Sequence, residues 1–98
     1  MLSWPFADPP NFAAYSTRGV MERGEPILLV SHEDEDGAWQ FIGYAWEPED
    51  LVLVCLEHTV AMDPSVSELA DLPRGWAAER ASKDAAWCRY QLPPDDEQ

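Results

Sequence analysis

The apolar positions of this chain fall into short blocks of strand length, separated by polar or proline-containing links. Pro26 opens the run Ile27-Leu28-Leu29-Val30-Ser31-His32, which is bounded by turn signals and reads as a buried strand. Glu33-Asp34-Glu35-Asp36-Gly37 ends in Asp-Gly. It leads into Ala38-Trp39-Gln40-Phe41-Ile42-Gly43-Tyr44, an aromatic, β-rich second strand, and the two strands form a hairpin. Leu51-Val52-Leu53-Val54-Cys55-Leu56 is a third strand, apolar on both faces and therefore expected at the centre of its sheet. Residues 76–81 read as a strand with Trp76, Ala78 and Arg80 on one face, although their propensity also allows helix. Residues 82–85 then make a turn and 87–92 a returning strand.

Helical signals are short. Ser16 or Thr17 can cap a helix over 18–23, and Gly24 can close it in a left-handed conformation. Residues 57–63 allow one or two turns. Ser65 and Glu68 have capping-box spacing for a further helix over 65–70, which Pro73-Arg74-Gly75 stops. Residues 1–14 hold Pro5, Pro9 and Pro10, which exclude a regular helix, so they read as an extended arm anchored by Trp4, Phe6 and Phe12. The sum is one α+β domain over residues 1–98: a small, twisted, mostly antiparallel sheet with short helices packed on it. It carries a Pro-rich N-terminal arm (1–14) and an acidic tail (93–98).

Charge changes the functional picture. The 98 residues include 19 acidic side chains against 6 basic ones, for a formal charge of −13. A surface of that sign repels phosphate, so nucleic acid and anionic membranes are not expected partners. More than half of the acids lie in three runs, at 33–36, 47–50 and 95–97, with nearly uncharged strands between them. Glu33, Asp34, Glu35 and Asp36 form one candidate docking loop for a basic protein partner. Glu47, Glu49 and Asp50, with Trp46 beside them, form the other. The plainer reading of both is a solvated face. If the strand that starts at Ala38 pairs with both neighbours, the loops lie at its opposite ends, as two rims and not one patch. A chain of this length builds a thin core, which a homodimer would complete. The N-terminus lacks a basic start followed by a long apolar run, and no apolar stretch approaches the ~20 residues of a membrane span, so the expected address is the cytoplasm.

Candidate chemistry is sparse. Cys55 and His58 form a Cys-x-x-His pair, and His32 and Cys88 would complete a tetrahedral zinc shell. One close pair is unselective, so no metal or cofactor is expected. A small enzyme or ligand-binding domain using His32, Cys55 and His58 is the alternative to a binding module. No nucleophile elbow or glycine-rich loop accompanies those residues, so no catalytic residue is assigned. Without an export signal, the two cysteines are expected as reduced, mostly buried thiols. Asp34, Asp36 and Gly37 have the look of the front of a calcium loop, but Ala38 and Ala45 stand where its fifth and twelfth positions need oxygen ligands. Among the five tryptophans, Trp39, Trp76 and Trp87 are expected in the core, while Trp4 and Trp46 are candidate interface anchors.

A set of short motifs runs through the chain in order: Val30-Ser31-His32, Asp36-Gly37-Ala38-Trp39-Gln40-Phe41, Leu56-Glu57-His58, Asp63-Pro64-Ser65, and Leu72-Pro73-Arg74-Gly75-Trp76-Ala77-Ala78-Glu79-Arg80, closing on Trp87. In this order and spacing, residues 27–87 resemble the immunity protein 33 family, a bacterial domain grouped with the immunity proteins of polymorphic toxin systems. The Pro-rich arm is unlike the N-terminal part of that family's longer members. The resemblance implies an α+β fold, a bacterial source, no catalytic residues, and a role in binding and blocking a cognate toxin.

Overall fold

A computed structural model describes residues 4–43 and 47–93. Six strands form one mixed, mostly antiparallel sheet: β1 (Ala13–Thr17), β2 (Leu29–His32), β3 (Trp39–Ile42), β4 (Leu51–Cys55), β5 (Trp76–Glu79) and β6 (Cys88–Gln91). Their order is β4-β1-β3-β2-β5-β6, and only β1 and β3 run parallel. Helices α1 (Arg18–Arg23) and α2 (Leu56–Met62), with a 3-10 helix at Pro64–Leu69, connect the strands. This is the α+β architecture expected from the pattern.

Two placements differ from expectation. The N-terminal arm stops at Phe12, because Ala13–Thr17 enters the middle of the sheet between β3 and β4. Its core-facing residues, Ala14 and Ser16, are small and fully buried, and the Ser16 hydroxyl donates to the Phe41 carbonyl at 2.8 Å. The bulk that covers them comes from elsewhere in the chain. The other difference is β4, which lies at the sheet edge and not at its centre. Val52 and Val54 face the core as expected of strand alternation, whereas Leu53 points away and is 66% exposed.

The helices and the arm contribute to one apolar cluster. Phe6, Val20, Leu56, Val66, Leu69 and Leu72 meet Ala14, Val30, Trp39, Phe41 and Ala78 of the sheet. Trp39 sits at the centre, edge-on to Phe6 and stacked with His32 at 3.9 Å between ring centroids. Its indole N–H donates to the Asp8 carboxylate at 3.0 Å, and the Trp4 indole donates to the Asp8 carbonyl. The arm is therefore held by Trp4, Phe6 and Phe12, as expected. Trp4 serves that packing and is not a free interface anchor. Trp76 and Trp87 are half-buried against the same cluster.

Local chemistry explains the helix ends. Thr17 is the N-cap of α1, its hydroxyl accepting from the Val20 N–H, and Gly24 closes the helix at φ +70°. The 3-10 helix is capped by Asp63 and not through a Ser65–Glu68 box. Pro64 occupies the first helical position, and the Asp63 carboxylate accepts from both the backbone N–H and the hydroxyl of Ser65. Asp63 also receives the Arg80 guanidinium at 2.6 Å. Arg80 reaches the Ile27 carbonyl, the Ser65 hydroxyl and the Lys83 carbonyl, and it lies 4.2 Å over the Trp87 ring. With its side chain 2% exposed, Arg80 ties four separate chain segments together.

Candidate functional site

The acidic hairpin loop is built by its own residues. The Glu33 N–H donates to the Ala38 carbonyl and the Gly37 N–H to the Glu33 carbonyl. The Asp36 carboxylate accepts from the Ala38 N–H at 3.0 Å. Gly37 adopts φ +72°, a conformation that favours glycine, and the Arg74 guanidinium packs directly over it. The Glu33 carboxylate accepts from the Ser31 hydroxyl. Thus Glu33 and Asp36 help hold the loop, while Asp34 and Glu35 project from it without an ion pair among the described residues.

Strand pairing turns this loop into one wall of a cleft. β5 runs antiparallel to β2 with Trp76 opposite His32, which places Arg74 and Gly75 beside the hairpin. β6 returns along β5 and brings Gln91, Leu92 and Pro93 to the same end. The cleft between them has a volume of about 680 Å³ and is lined by Glu33, Asp34, Glu35, Arg74, Gly75 and the 91–93 segment. Three carboxylates thus face one guanidinium. Sequence reasoning found the acidic wall but not the opposite one, whose available signal was the turn Pro73-Arg74-Gly75 before a strand.

The second acidic rim lies at the other end of the sheet. β4 runs antiparallel to β1, and β1 runs parallel to β3, so the start of β4 aligns with the end of β3. The two rims are therefore separated by the length of the strands, as expected, although β1 intervenes between β3 and β4. Pro48–Asp50 forms a 3-10 turn closed by the Asp50 carboxylate, which accepts from the Glu47 N–H. Glu47 and Glu49 are exposed. Trp46 lies outside the described residues, as do the acids at 95–97. The ion pairs among the described residues are Arg23–Glu25, Arg80–Asp63 and Arg89–Asp71, and none involves either acidic rim. The Arg89 guanidinium, by hydrogen bond and then by charge, holds the Asp71 carboxyl below its ordinary range. Burial, followed by a hydrogen bond to Glu79, pushes the Tyr90 phenol above its ordinary range.

The residues considered for metal or nucleophilic chemistry are not brought together. His32 on β2 and Cys55 on β4 are separated by β1 and β3, three strand spacings or about 14 Å. His32 donates from Nδ1 to the Leu72 carbonyl at 2.7 Å and stacks on Trp39, a packing role. His58 is exposed on α2, and Cys88 lies on the far edge strand, paired with Glu79 at the opposite end from His32. Both cysteines are free. Cys55 is half-buried and Cys88 exposed, so the thiols are not the buried pair expected from sequence. No cluster of three or more metal-ligating side chains occurs among the described residues. No described helix is long and apolar enough to cross a membrane. Compared with family models, with curated proteins and with solved structures, the chain matches none.

Proposed function

We propose that this chain is a non-enzymatic binding domain that captures and neutralises a basic protein partner, in the manner of an immunity protein against a toxin. The observation that carries the reading is the net acidic cleft, in which three carboxylates stand against the single guanidinium of Arg74. Glu33, Asp34 and Glu35 line a space large enough for several side chains of a partner, and none of them is engaged in an ion pair among the described residues. Such a surface accelerates encounter with a basic partner and disfavours phosphate ligands, nucleic acid and anionic membranes alike. The resemblance of residues 27–87 to the immunity protein 33 family supports the toxin-blocking role and a bacterial source.

The test uses the products of the reading frames adjacent to this gene. A basic protein among them is expected to form a stoichiometric complex whose affinity falls with salt. The combined variant Asp34→Asn, Glu35→Gln, Glu47→Gln, Glu49→Gln is expected to weaken it at least tenfold, because these four carboxylates close no turn. Unchanged affinity in that variant refutes the acidic sites. Absence of any complex with a neighbouring basic product refutes the reading itself.

A further inference from the structure

The two edges of the sheet are protected unequally. β6 is four residues long, carries Arg89, and is followed closely by Pro93, features that discourage strand addition. β4 has none of these. Leu51-Val52-Leu53-Val54-Cys55 is uncharged and free of proline, and its register with β1 is unbroken over five residues. The Leu56 N–H donates to the Phe12 carbonyl, which marks the Phe12–Leu56 position as hydrogen-bonded. Alternation along an antiparallel pair then turns Val54 and Val52 toward β1, and the N–H and C=O of Leu53 and the N–H of Cys55 toward the outer side. A groove of about 580 Å³ runs along this edge. It is walled by Met21 and Glu22 of α1 and by Asn11 and His58, with Val52, Leu53, Val54 and Cys55 as its floor.

The charges around the groove define its occupant. Glu47, Glu49 and Asp50 precede β4, Glu57 follows it, and Glu22 forms part of the wall. An antiparallel pairing of two copies centred on Leu53 brings Glu47, Glu49 and Asp50 of each copy toward Glu57 of the other. A parallel pairing sets the 47–50 acids against themselves. Like charges placed opposite one another across strands are destabilising, so neither self-pairing suits this edge. An extended apolar segment flanked by Lys or Arg satisfies both the open peptide groups and the carboxylates at either end. We infer that β4 is the docking edge for such a segment of a basic protein partner, which adds to the sheet as a seventh strand. This deepens the proposed function and rests on it for the nature of the partner.

The experiment is an NMR titration of the full chain with three synthetic peptides. The first has the core Val-Thr-Val-Thr-Val flanked by two lysines at each end, the second has glutamates in place of the lysines, and the third keeps the lysines but has proline at the central position. The lysine-flanked peptide is expected to shift the Leu53 and Cys55 amides. It is expected to bind at least tenfold more tightly than the glutamate-flanked peptide, which lacks the charge match, and than the proline-centred one, which lacks the ladder donor. Sedimentation of the chain alone is expected to give a monomer. Shifts confined to the hairpin cleft, equal binding of the first and third peptides, or a dimer of the chain alone whose interface maps to β4 would each overturn the inference. If a basic partner is captured through Asp34 and Glu35 while β4 stays silent, the docking edge fails and the proposed function stands. If β4 takes the lysine-flanked peptide but no basic protein partner binds, the docking edge stands and the proposed function fails.

Discussion

Removing the Arg80 guanidinium tests what holds the short helices to the sheet. In Arg80→Met the side chain keeps most of its length and apolar stem. The Asp63 carboxylate, only 14% exposed, loses its cation. The carbonyls of Ile27 and Lys83 and the hydroxyl of Ser65 lose a donor, and Trp87 loses the charge over its ring. Breaking a buried ion pair from one side costs about 3–5 kcal/mol, because the partner charge stays buried without compensation. A domain of this size has a total stability of roughly 5–15 kcal/mol, so the loss is a large share of it. At about 4–8 °C per kcal/mol, the melting temperature should fall by roughly 12–40 °C. Urea unfolding followed by tryptophan fluorescence measures the change directly. The companion variant Asp63→Asn keeps an acceptor for the Ser65 N–H while removing the charge. In the double variant the two losses should overlap by about 1–3 kcal/mol, since each single change already breaks the shared contact. A loss below about 1 kcal/mol in Arg80→Met, or strictly additive losses in the double variant, would refute the view that this cluster is the principal tie.

Three further outcomes follow from the geometry. Tyr90 titrates above its ordinary value of 10.0 in the folded chain, so its contribution to stability is intact below that pH and lost as pH climbs through the folded value. Absorbance at 295 nm and unfolding experiments from pH 9 to 12 should show this alkaline loss, and Tyr90→Phe should reduce it. Gly37→Ala should destabilise the hairpin by about 1–2 kcal/mol, because φ is +72° and the new Cβ would lie 2.5 Å from Arg74 Nη2; a neutral effect in thermal unfolding would contradict that turn. Moderate salt should raise the melting temperature, since screening relieves repulsion in a chain of charge −13; a fall between low and physiological salt would show the acidic rims to be internally compensated.

The elements that the sequence revealed are those whose cause is local. The β2–β3 hairpin is written in two apolar runs and an Asp-Gly turn, and α1 in Thr17 and Gly24. β1 was hidden because Ala13–Thr17 carries no strong strand pattern. It becomes a strand through pairing with residues 40 and 51–55, a tertiary effect with no local signature. β4 misled for a different reason. Five apolar residues normally mean burial on both sides, but here one face and one edge stay open among the described residues. Of the candidate site, the acidic wall at 33–36 was legible in charge alone. Arg74 and 91–93 were not, because strand order decides what faces the loop. The Arg80 cluster was equally hidden, since its partners at 27, 63, 65 and 83 converge only once the chain is folded.

The placement of β1 also sets the timing of folding. Both its neighbours are made later in the chain: β3 ends at Ile42 and β4 at Cys55. During synthesis the N-terminal segment, with Trp4, Phe6 and Phe12, must therefore emerge and wait without a pairing partner. The hairpin can form first, but the interior of the sheet closes only after more than half the chain is available. Long-range pairing of this kind slows folding and prolongs the exposure of apolar side chains. The high density of carboxylates then has a second use, because mutual repulsion between nascent chains keeps them apart during that interval.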